Sequence, residues 1–519
     1  MSENAIGRIT IGGRTAEVVT TVGETLLSAL AGAGLFVSAP CGGNGTCGHC
    51  RVIASGALSP MTEEERALLG DAVQSGVRLA CRCRVCGDFS ATLWEDTIRV
   101  EKTRVASASP SAERAGRYGL AVDVGTTTVA VCLCDGTAAI DVCGFRNPQS
   151  VFGADVIARV DKIMRDRAML EKERRVLIAE IDRAARSLMQ KHAVAPEAIR
   201  QVVLCGNTVM EHIAAGVDPS PIAVAPFRVP SRFGKAFSAD AVGLSDLPNA
   251  EVYFAPCIAS YVGGDITCGI LVGGIPDGKT TLFLDVGTNG EIVLSAGGTL
   301  YACSAAAGPA FEGAQITCGM ASERGAICGV SVRDGKLIFE TIDGAPVRGI
   351  CGSGILDLVA CLLDLGALDE TGRLITGDGS PVVKENNRTW IPLNEDGTLS
   401  FTGADVREVQ LAKAAIAAGI RTLLHEANLS PEDVGRVVLA GGFGSHLRAA
   451  SACRIGLIPA SLCDKIESAG NTALAGAVGL LLGQNAKSDA ADIAANTRYI
   501  ELSSHAFFME AYPEEMEFI

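Results

Sequence analysis

The chain has 519 residues, 48% hydrophobic and 20% charged, which is too apolar for a disordered protein and long enough for several domains of about 150 residues each. Its 59 acidic residues outnumber 44 Lys and Arg, and the net charge of −15 disfavours nucleic acid or an anionic membrane surface as a partner. No run of about 18 apolar residues offers a membrane span, and MSENAIGRITIGG lacks the basic and apolar regions of a secretion signal, so a cytoplasmic location is expected.

RITIGGRTAEVVTTV reads as two strands joined at a Gly-Gly turn, and GETLLSALAGAGL has the 3.6-residue period of a short helix. A cysteine-rich stretch follows, and FSATLWEDTIRV reads as a closing strand. Strand, strand, helix, cysteine loop and closing strand is the order of an α+β β-grasp domain, expected over residues 1–97.

Six of the chain's 19 cysteines fall between residues 41 and 86. In a reducing compartment such clustering points to metal ligands rather than disulfides, while the scattered ones suit packing. Cys41, Cys47 and Cys50 sit in APCGGNGTCGHC, a C-x5-C-x2-C spacing, and Cys81 follows in RLAC. Gly42, Gly43, Gly45 and Gly48 let the backbone wrap a cluster and turn N–H groups toward its sulfides. A zinc ribbon built on Cys47-x2-Cys50 and Cys83-x2-Cys86 is the rival, but it leaves Cys41 and Cys81 idle. The loop resembles that of the [2Fe–2S] ferredoxins, and the resemblance implies Cys41, Cys47, Cys50 and Cys81 as ligands. That reading assigns no role to Cys83 and Cys86, for which ordinary loop cysteines are one alternative, and His49, a conceivable ligand by its place in the loop, is read as an exposed spacer.

Residues 98–117, rich in Ser, Ala and Pro, read as a linker. An internal duplication follows. GLAVDVGTTTVAVCL (119–133) matches TLFLDVGTNGEIVLS (281–295). Each is followed by a helical stretch, then a buried strand ending in glycine, IRQVVLCGNT and VGRVVLAGGFG. Each half closes with a helix of small residues, SYVGGDITCGILVGG and GNTALAGAVGLLLG. The halves are expected over 118–275 and 276–485. The span from Asp285 to Gly441 is nearly twice that from Asp123 to Gly206, so an insertion is expected near 330–404. A tail over 486–519, with Tyr499, Phe507, Phe508, Tyr512 and Phe518 as anchors, is expected to pack back on the body.

DVGTTT and DVGTNG each end a buried apolar strand, so a tight glycine turn can direct backbone N–H groups at phosphate. The aspartates suit Mg²⁺, usually through water. LAGGFG (439–444) lets an adenosine ring lie against backbone, and GICGSGILD (349–357) is a strand-to-helix turn fit for nucleotide contact. These motifs, in this order within a duplicated frame, look like the acetate and sugar kinase/Hsp70/actin superfamily, an α/β, ribonuclease H-like ATPase fold. With the ferredoxin in front, the whole chain resembles the reductive activators of corrinoid-dependent methyltransferases and the O-demethylase activating enzymes. NPQSVFGADVIARV (147–160) is among the further segments that carry the match.

The resemblance implies ATP in a cleft between the two halves. Asp123, Gly125, Thr126 and Thr127 would hold phosphate and Mg²⁺ on one side, and Asp285, Gly287, Thr288 and Asn289 on the other. Gly441 and Gly442 would meet adenosine, and Gly352 and Ser353 the nucleotide at a helix start. Asp265, Glu291 and Glu312 are candidates for orienting the attacking water. The implied activity is ATP-dependent return of cobalt(II) corrinoid to cobalt(I) through the [2Fe–2S] cluster. The implied partners are a corrinoid protein, an upstream electron donor and a second copy of the chain. Two alternatives stand beside this. One is a small-molecule kinase with a redox-sensing ferredoxin domain, although CGNT supplies no carboxylate base where a kinase needs one. The other is an electron-carrying adaptor that binds nucleotide without turnover.

Overall fold

The computed structural model describes residues 4–93, except 12–13, 34, 36, 38–42, 44, 46–47 and 49, and residues 117–518, except 154, 276–277, 288, 314, 387 and 442–446. Cys41, Cys47, His49, Thr288 and Gly442 therefore lie outside the described residues, and of the expected linker only Arg117 lies within them. The chain forms two compact units. One holds the N-terminal domain and the chain up to Tyr253, except 232–235; the other includes that short stretch and the chain from Phe254 onward.

In the first unit, β1 (Asn4–Ile11) pairs antiparallel with β2 (Arg14–Thr21) and parallel with β5 (Val85–Leu93). With β3 (Arg51–Leu58) and β4 (Val77–Leu79) they form a sheet of order β2-β1-β5-β3-β4. Alternation drives this sheet: Ala5 and Ile9 point inward while their neighbours face solvent. Helix α1 (Leu26–Gly32) starts at Thr25, whose hydroxyl accepts from the Ser28 N–H. It buries Leu26, Leu27 and Leu30 against the sheet. Helix α2 (Glu63–Leu69) lies between β3 and β4. The expected β-grasp fold is present.

The remainder of the unit is a second sheet. The apolar run YGLAVDV forms β6 (Tyr118–Val124), flanked antiparallel by β7 (Thr128–Cys134), which pairs with β8 (Ala139–Arg146). Helices α3 (Val156–Arg165) and α4 (Ala168–Lys191) follow, then β9 (Ile199–Gly206), which joins β6 in parallel. Leu177, Ile178, Ile181, Ala184, Ala185 and Leu188 make the buried stripe of α4. Next come α5 (Thr208–Ala214), β10 (Lys235–Ser238), α6 (Ala239–Val242) and β11 (Glu251–Phe254), giving the order β10-β11-β9-β6-β7-β8.

The second unit repeats that plan. After α7 (Gly264–Val272), β12 (Thr281–Val286) pairs antiparallel with β13 (Gly290–Ala296), and β13 with β14 (Thr299–Ala305). Between β14 and the long helix of this half stand β15 (Ala326–Arg333), β16 (Lys336–Thr341), β17 (Gly349–Ile350), α8 (Gly352–Asp364), β18 (Val383–Glu385), β19 (Arg388–Pro392) and β20 (Ser400–Thr402). They make two three-stranded sheets that have no counterpart among the described residues of the first half. Helix α9 (Gly403–Glu426) opens on a capping box between Thr402 and Asp405, and β21 (Arg436–Ala440) then joins β12 in parallel. With β22 (Ile466–Gly470) and β23 (Arg498–Tyr499) the order is β22-β21-β12-β13-β14-β23. The shared core, β9-β6-β7-β8 in one sheet and β21-β12-β13-β14 in the other, is the duplicated actin-like frame. Among the described residues no helix is long and apolar enough to cross a membrane.

Candidate functional site

The cysteine loop runs from the end of α1 to β3. Gly43, Gly45 and Gly48 all have positive φ, at 83°, 75° and 70°. At Gly45 the positive φ strains any other residue, and a Cβ there would also lie 2.4 Å from Arg82 Nε and displace that side chain. That same Nε donates to the Gly45 carbonyl at 3.0 Å, and Arg51 Nε donates to the Gly48 carbonyl at 3.0 Å. Two arginines thus hold the loop by its carbonyls.

Cys50, at the start of β3, and Cys81, in a tight turn after β4, are buried with their sulfurs 3.2 Å apart. That is far longer than a disulfide bond of about 2.05 Å, so the two sulfurs converge without being bonded to each other. The Cys81 turn is fixed on three sides. Cys83 N–H donates to the Leu79 carbonyl, Ala80 N–H to the Cys50 carbonyl, and Leu27 N–H of α1 to the Ala80 carbonyl, all within 2.9 Å. Below it, the fully buried Glu65 accepts from Leu79 N–H at 2.7 Å and from Arg78 Nε and Nη2 at 2.9 and 3.1 Å.

Two converging thiols beside a glycine cradle fit a thiolate-ligated cluster. Among the described residues no third His, Cys, Asp or Glu completes a metal site with them. Cys83 and Cys86 do not join them. Cys83 is fully buried in the core, its thiol pushed up to about 11 by burial, and Cys86 is exposed. Cys83 is thus a loop cysteine between β4 and β5 whose side chain packs in the core, whereas Cys86 lies on β5.

In the first phosphate loop, Asp123 ends β6 and Gly125 N–H closes a turn on the Thr128 carbonyl at 3.0 Å. Every loop carbonyl from Gly125 to Thr127 is captured from the protein side. Asn147 Nδ2 donates to Gly125 O at 2.8 Å, Arg159 Nη2 to Thr126 O at 2.7 Å, and Asn147 N–H to Thr127 O at 2.8 Å. Asn207, the cap of α5 in CGNT, donates through Nδ2 to Thr126 Oγ1 at 2.9 Å. With its carbonyls turned inward, the loop can meet a phosphate with its N–H edge. Asn147, Arg159 and Asn207 are the residues that hold this loop, a role no single-residue reading of the sequence gave them. CGNT itself was the available signal for Asn207.

In the second loop, Gly287 N–H donates to the Asn289 carbonyl at 2.9 Å, and the β12/β13 register sets Asp285 opposite Glu291. Gly441 has φ 86°, and a Cβ there would sit 2.4 Å from Asp285 Oδ1, so the chain after β21 passes directly over that carboxylate. Glu312 Oε1 stands 3.6 Å from where a Gly287 side chain would begin. The Glu291 carboxyl is held well above the usual carboxylate range by burial and by the charges of Asp265 and Asp285. Ser304 Oγ donates to it at 3.3 Å. Asp265 and Asp285 both act on Glu291, and Glu312 stands beside the Gly287 turn, but among the described residues no three carboxylates form a metal site by themselves, so a cation here would be held mainly through water. Ser353, at the start of α8, is buried and its hydroxyl is spent on the Cys328 carbonyl at 2.8 Å, which ties the helix to β15. Gly352 is buried beside it.

Three family models match the chain: a 2Fe-2S iron-sulfur cluster binding domain over residues 9–86, the RACo middle region over 118–277, and the C-terminal ASKHA domain of RACo over 279–519. The corrinoid activation enzyme RamQ of Eubacterium limosum is 33% identical over 440 residues, 80% of this chain and 73% of that one. The [Co(II) methylated amine-specific corrinoid protein] reductase of Methanosarcina barkeri is 28% identical over 333 residues, 57% of this chain and 58% of its own. A solved structure, titled reductive activator for corrinoid,iron-sulfur protein, is 28% identical and superposes with a TM-score of 0.70, covering 99% of this chain and 98% of its own.

Proposed function

The chain belongs to the family of corrinoid activation enzymes, and from that premise we propose that it returns the cobalt(II) corrinoid of a methyltransferase system to cobalt(I) in an ATP-dependent reaction. The observation that carries this reading is the presence, on one chain, of the Cys50–Cys81 pair beside its glycine loop and of two glycine-turned loops that follow Asp123 and Asp285 at the ends of β6 and β12. When bound, a [2Fe–2S] cluster supplies a one-electron carrier. The protein's part is to hold it: Cys50 and Cys81, with Cys41 and Cys47, are its thiolates in this proposal.

The phosphate loops do separate work. Gly125 and Gly287 would make the turns, their own N–H groups being spent on the Thr128 and Asn289 carbonyls, and the N–H groups of Thr126 and Thr127, and of Thr288 and Asn289, would bind phosphate oxygens, each on its own half. Asp123 and Asp285 would hold water-bound Mg²⁺, and Gly441 with Gly442 would face adenosine. Asp265, Glu291 and Glu312 lie near the second loop and are the candidates to orient the attacking water. Driving an electron uphill costs about 1.4 kcal/mol per 59 mV. Nucleotide binding that favours one conformation about 10⁴-fold contributes roughly 5.5 kcal/mol, the scale required.

The test is anaerobic reduction of a cobalt(II) corrinoid protein by the cluster-loaded chain, followed by the cobalt(I) absorption band. ATP is expected to accelerate the reaction, and Asp285→Ala to remove that acceleration while the cluster spectrum persists. Equal rates with and without ATP would overturn the proposal. Full activation by Asp285→Ala would leave a non-hydrolysing adaptor as the reading. Its specific corrinoid protein is proposed only as a class, and the same experiment run with different corrinoid partners ranks them.

A further inference from the structure

The short segment Asn147–Gly153, between β8 and α3, touches both functional parts of the first unit. Its N-terminal end grips the phosphate loop. Asn147 is fully buried; its side chain and N–H take the Gly125 and Thr127 carbonyls, and its Oδ1 accepts from Gln149 N–H at 2.9 Å to start a 3-10 turn. Arg159, also fully buried, spans the gap between loop and segment. Its Nη2 donates to Thr126 O, its Nε to Gly153 O at 3.0 Å, and its Nη1 to Gln149 Oε1 at 3.3 Å. The guanidinium fork fixes loop and segment to one another.

The other end of the segment belongs to the ferredoxin core. Val151, 8% exposed, is a member of the same apolar cluster as Leu26, Leu27 and Leu30 of α1, and Phe152 packs against that cluster. Leu27 in turn reaches the cysteine loop, since a side chain on Gly43 would start 3.4 Å from Leu27 Cδ2 and 4.0 Å from Cys81 Cβ. Leu27 N–H also holds the Cys81 turn through the Ala80 carbonyl. One run of packed and hydrogen-bonded groups thus leads from phosphate-loop carbonyls to the cluster loop.

We propose that Asn147–Gly153 is a transmission element, with Arg159 as its positioning residue, through which nucleotide on the first phosphate loop alters the seating of the ferredoxin domain. This rests on the nucleotide reading of that loop given above. A phosphate drawn onto the loop's N–H edge reorients the same peptides whose carbonyls Asn147 and Arg159 hold, so the segment must follow. Its apolar end then shifts against α1. Because coupling between sites is reciprocal, the seating of the ferredoxin domain also alters nucleotide affinity, by the same factor.

Hydrogen exchange on the cluster-loaded, full-length protein, with and without saturating Mg·ADP, tests this. Nucleotide is expected to change the exchange of α1 amides by about fivefold or more, the lower end of coupling between distinct sites. Phe152→Ala is expected to abolish that response while Mg·ADP still binds, its affinity changed by no more than the same factor. If Phe152→Ala loses its cluster, Val151→Thr, of near-equal volume, replaces it. Arg159→Lys keeps the charge but loses the fork, and is expected to weaken Mg·ADP binding while leaving α1 exchange in the nucleotide-free protein unchanged. Bound Mg·ADP with unaltered α1 exchange in the wild type overturns the transmission proposal and leaves the ATPase reading standing. No Mg·ADP binding by the wild type overturns the ATPase reading itself. An unchanged Mg·ADP affinity in Arg159→Lys removes that residue's role.

Discussion

Two buried titratable residues of the first unit pull its stability in opposite directions with pH. Glu173 of α4 is fully buried, and burial pushes its carboxyl up to about 8 against the pull of Arg159 and Lys162. Its folded form keeps a proton that the unfolded chain has lost, so its contribution is fully present below about pH 4.5 and is lost as pH rises toward 8. His212 does the reverse. Its Nδ1 bonds the Thr208 carbonyl at 2.6 Å, its Nε2 accepts from Ser231 N–H at 3.1 Å, and burial lowers it to about 4. It must be neutral to fit, so its contribution is present above about pH 6.5 and fades as pH falls toward 4. Glu173→Gln, which mimics the protonated acid, is expected to be neutral near pH 5. At pH 8 it is expected to raise the apparent Tm, with a free-energy gain that grows by about 1.4 kcal/mol per pH unit across the interval. Thermal unfolding of both chains at several pH values checks this, and an equal Tm at pH 8 contradicts the assigned burial penalty.

At the scale of elements, the Cys81 turn depends on a helix that supplies no ligand. Glu65 of α2 is the only side chain among the described hydrogen bonds that accepts from both Arg78 and the Leu79 N–H, and it is fully buried. Removing it leaves a largely buried guanidinium with the Ser59 carbonyl but no counter-charge, and the Leu79 N–H without its acceptor, a loss on the order of 3–5 kcal/mol. Glu65→Ala is therefore expected to release the cluster faster under mild denaturant, read from the visible absorption, and Glu65→Gln to restore part of the retention by returning one acceptor. Nucleotide affinity should fall by no more than the small factor that ferredoxin seating passes to the loop. If cluster retention in Glu65→Ala equals the wild type, the turn is held by its backbone bonds alone. Helix α9 shows the complementary case, where a capping box and a buried stripe of Val406, Val409, Ala412, Ile416 and Ile420 specify one element by local and medium-range rules.

Over the whole molecule, the C-terminal residues close the second unit by capping a buried cation. Lys413 of α9 is fully buried and donates to the Glu517 carbonyl at 2.7 Å, with Glu515 at 3.8 Å. Gln410 donates to the Met516 carbonyl at 2.9 Å, Arg421 pairs with Glu514 and Glu515, and Phe507 stacks on His425 at 4.1 Å. Deleting residues 515–519 removes the acceptors and strands the ammonium, a cost of about 3–5 kcal/mol. The truncated chain is expected to unfold several degrees earlier, and Lys413→Met in that background to recover much of the loss. No recovery would mean that apolar contacts such as Phe518, and not the stranded charge, carry the tail's contribution.

The sequence by itself determined what depends on short spacing. A glycine-flanked C-x5-C-x2-C loop, a strand that must turn at D-V-G, and a helix of small residues are each dictated by local backbone geometry, and their repetition revealed the duplicated frame. Cys50 and Cys81, 31 residues apart, were also legible, because the β-grasp order brings the two ends of that loop together. Tertiary structure alone decided the remainder. Asp285 faces Glu291 only through the register of β12 with β13, and Asp265 arrives from a helix that precedes both. Asn147 and Arg159 lie in the NPQSVFGADVIARV segment that the resemblance picked out, but only the structure shows them reaching the first phosphate loop from beyond β8. Cys83 and Cys86 are chemically identical in sequence, yet one lies in the core and the other in solvent. The reason is physical: turn chemistry and periodicity are set by neighbours along the chain, whereas charge gathering and buried hydrogen bonds are set by which strands pair and which helix covers them.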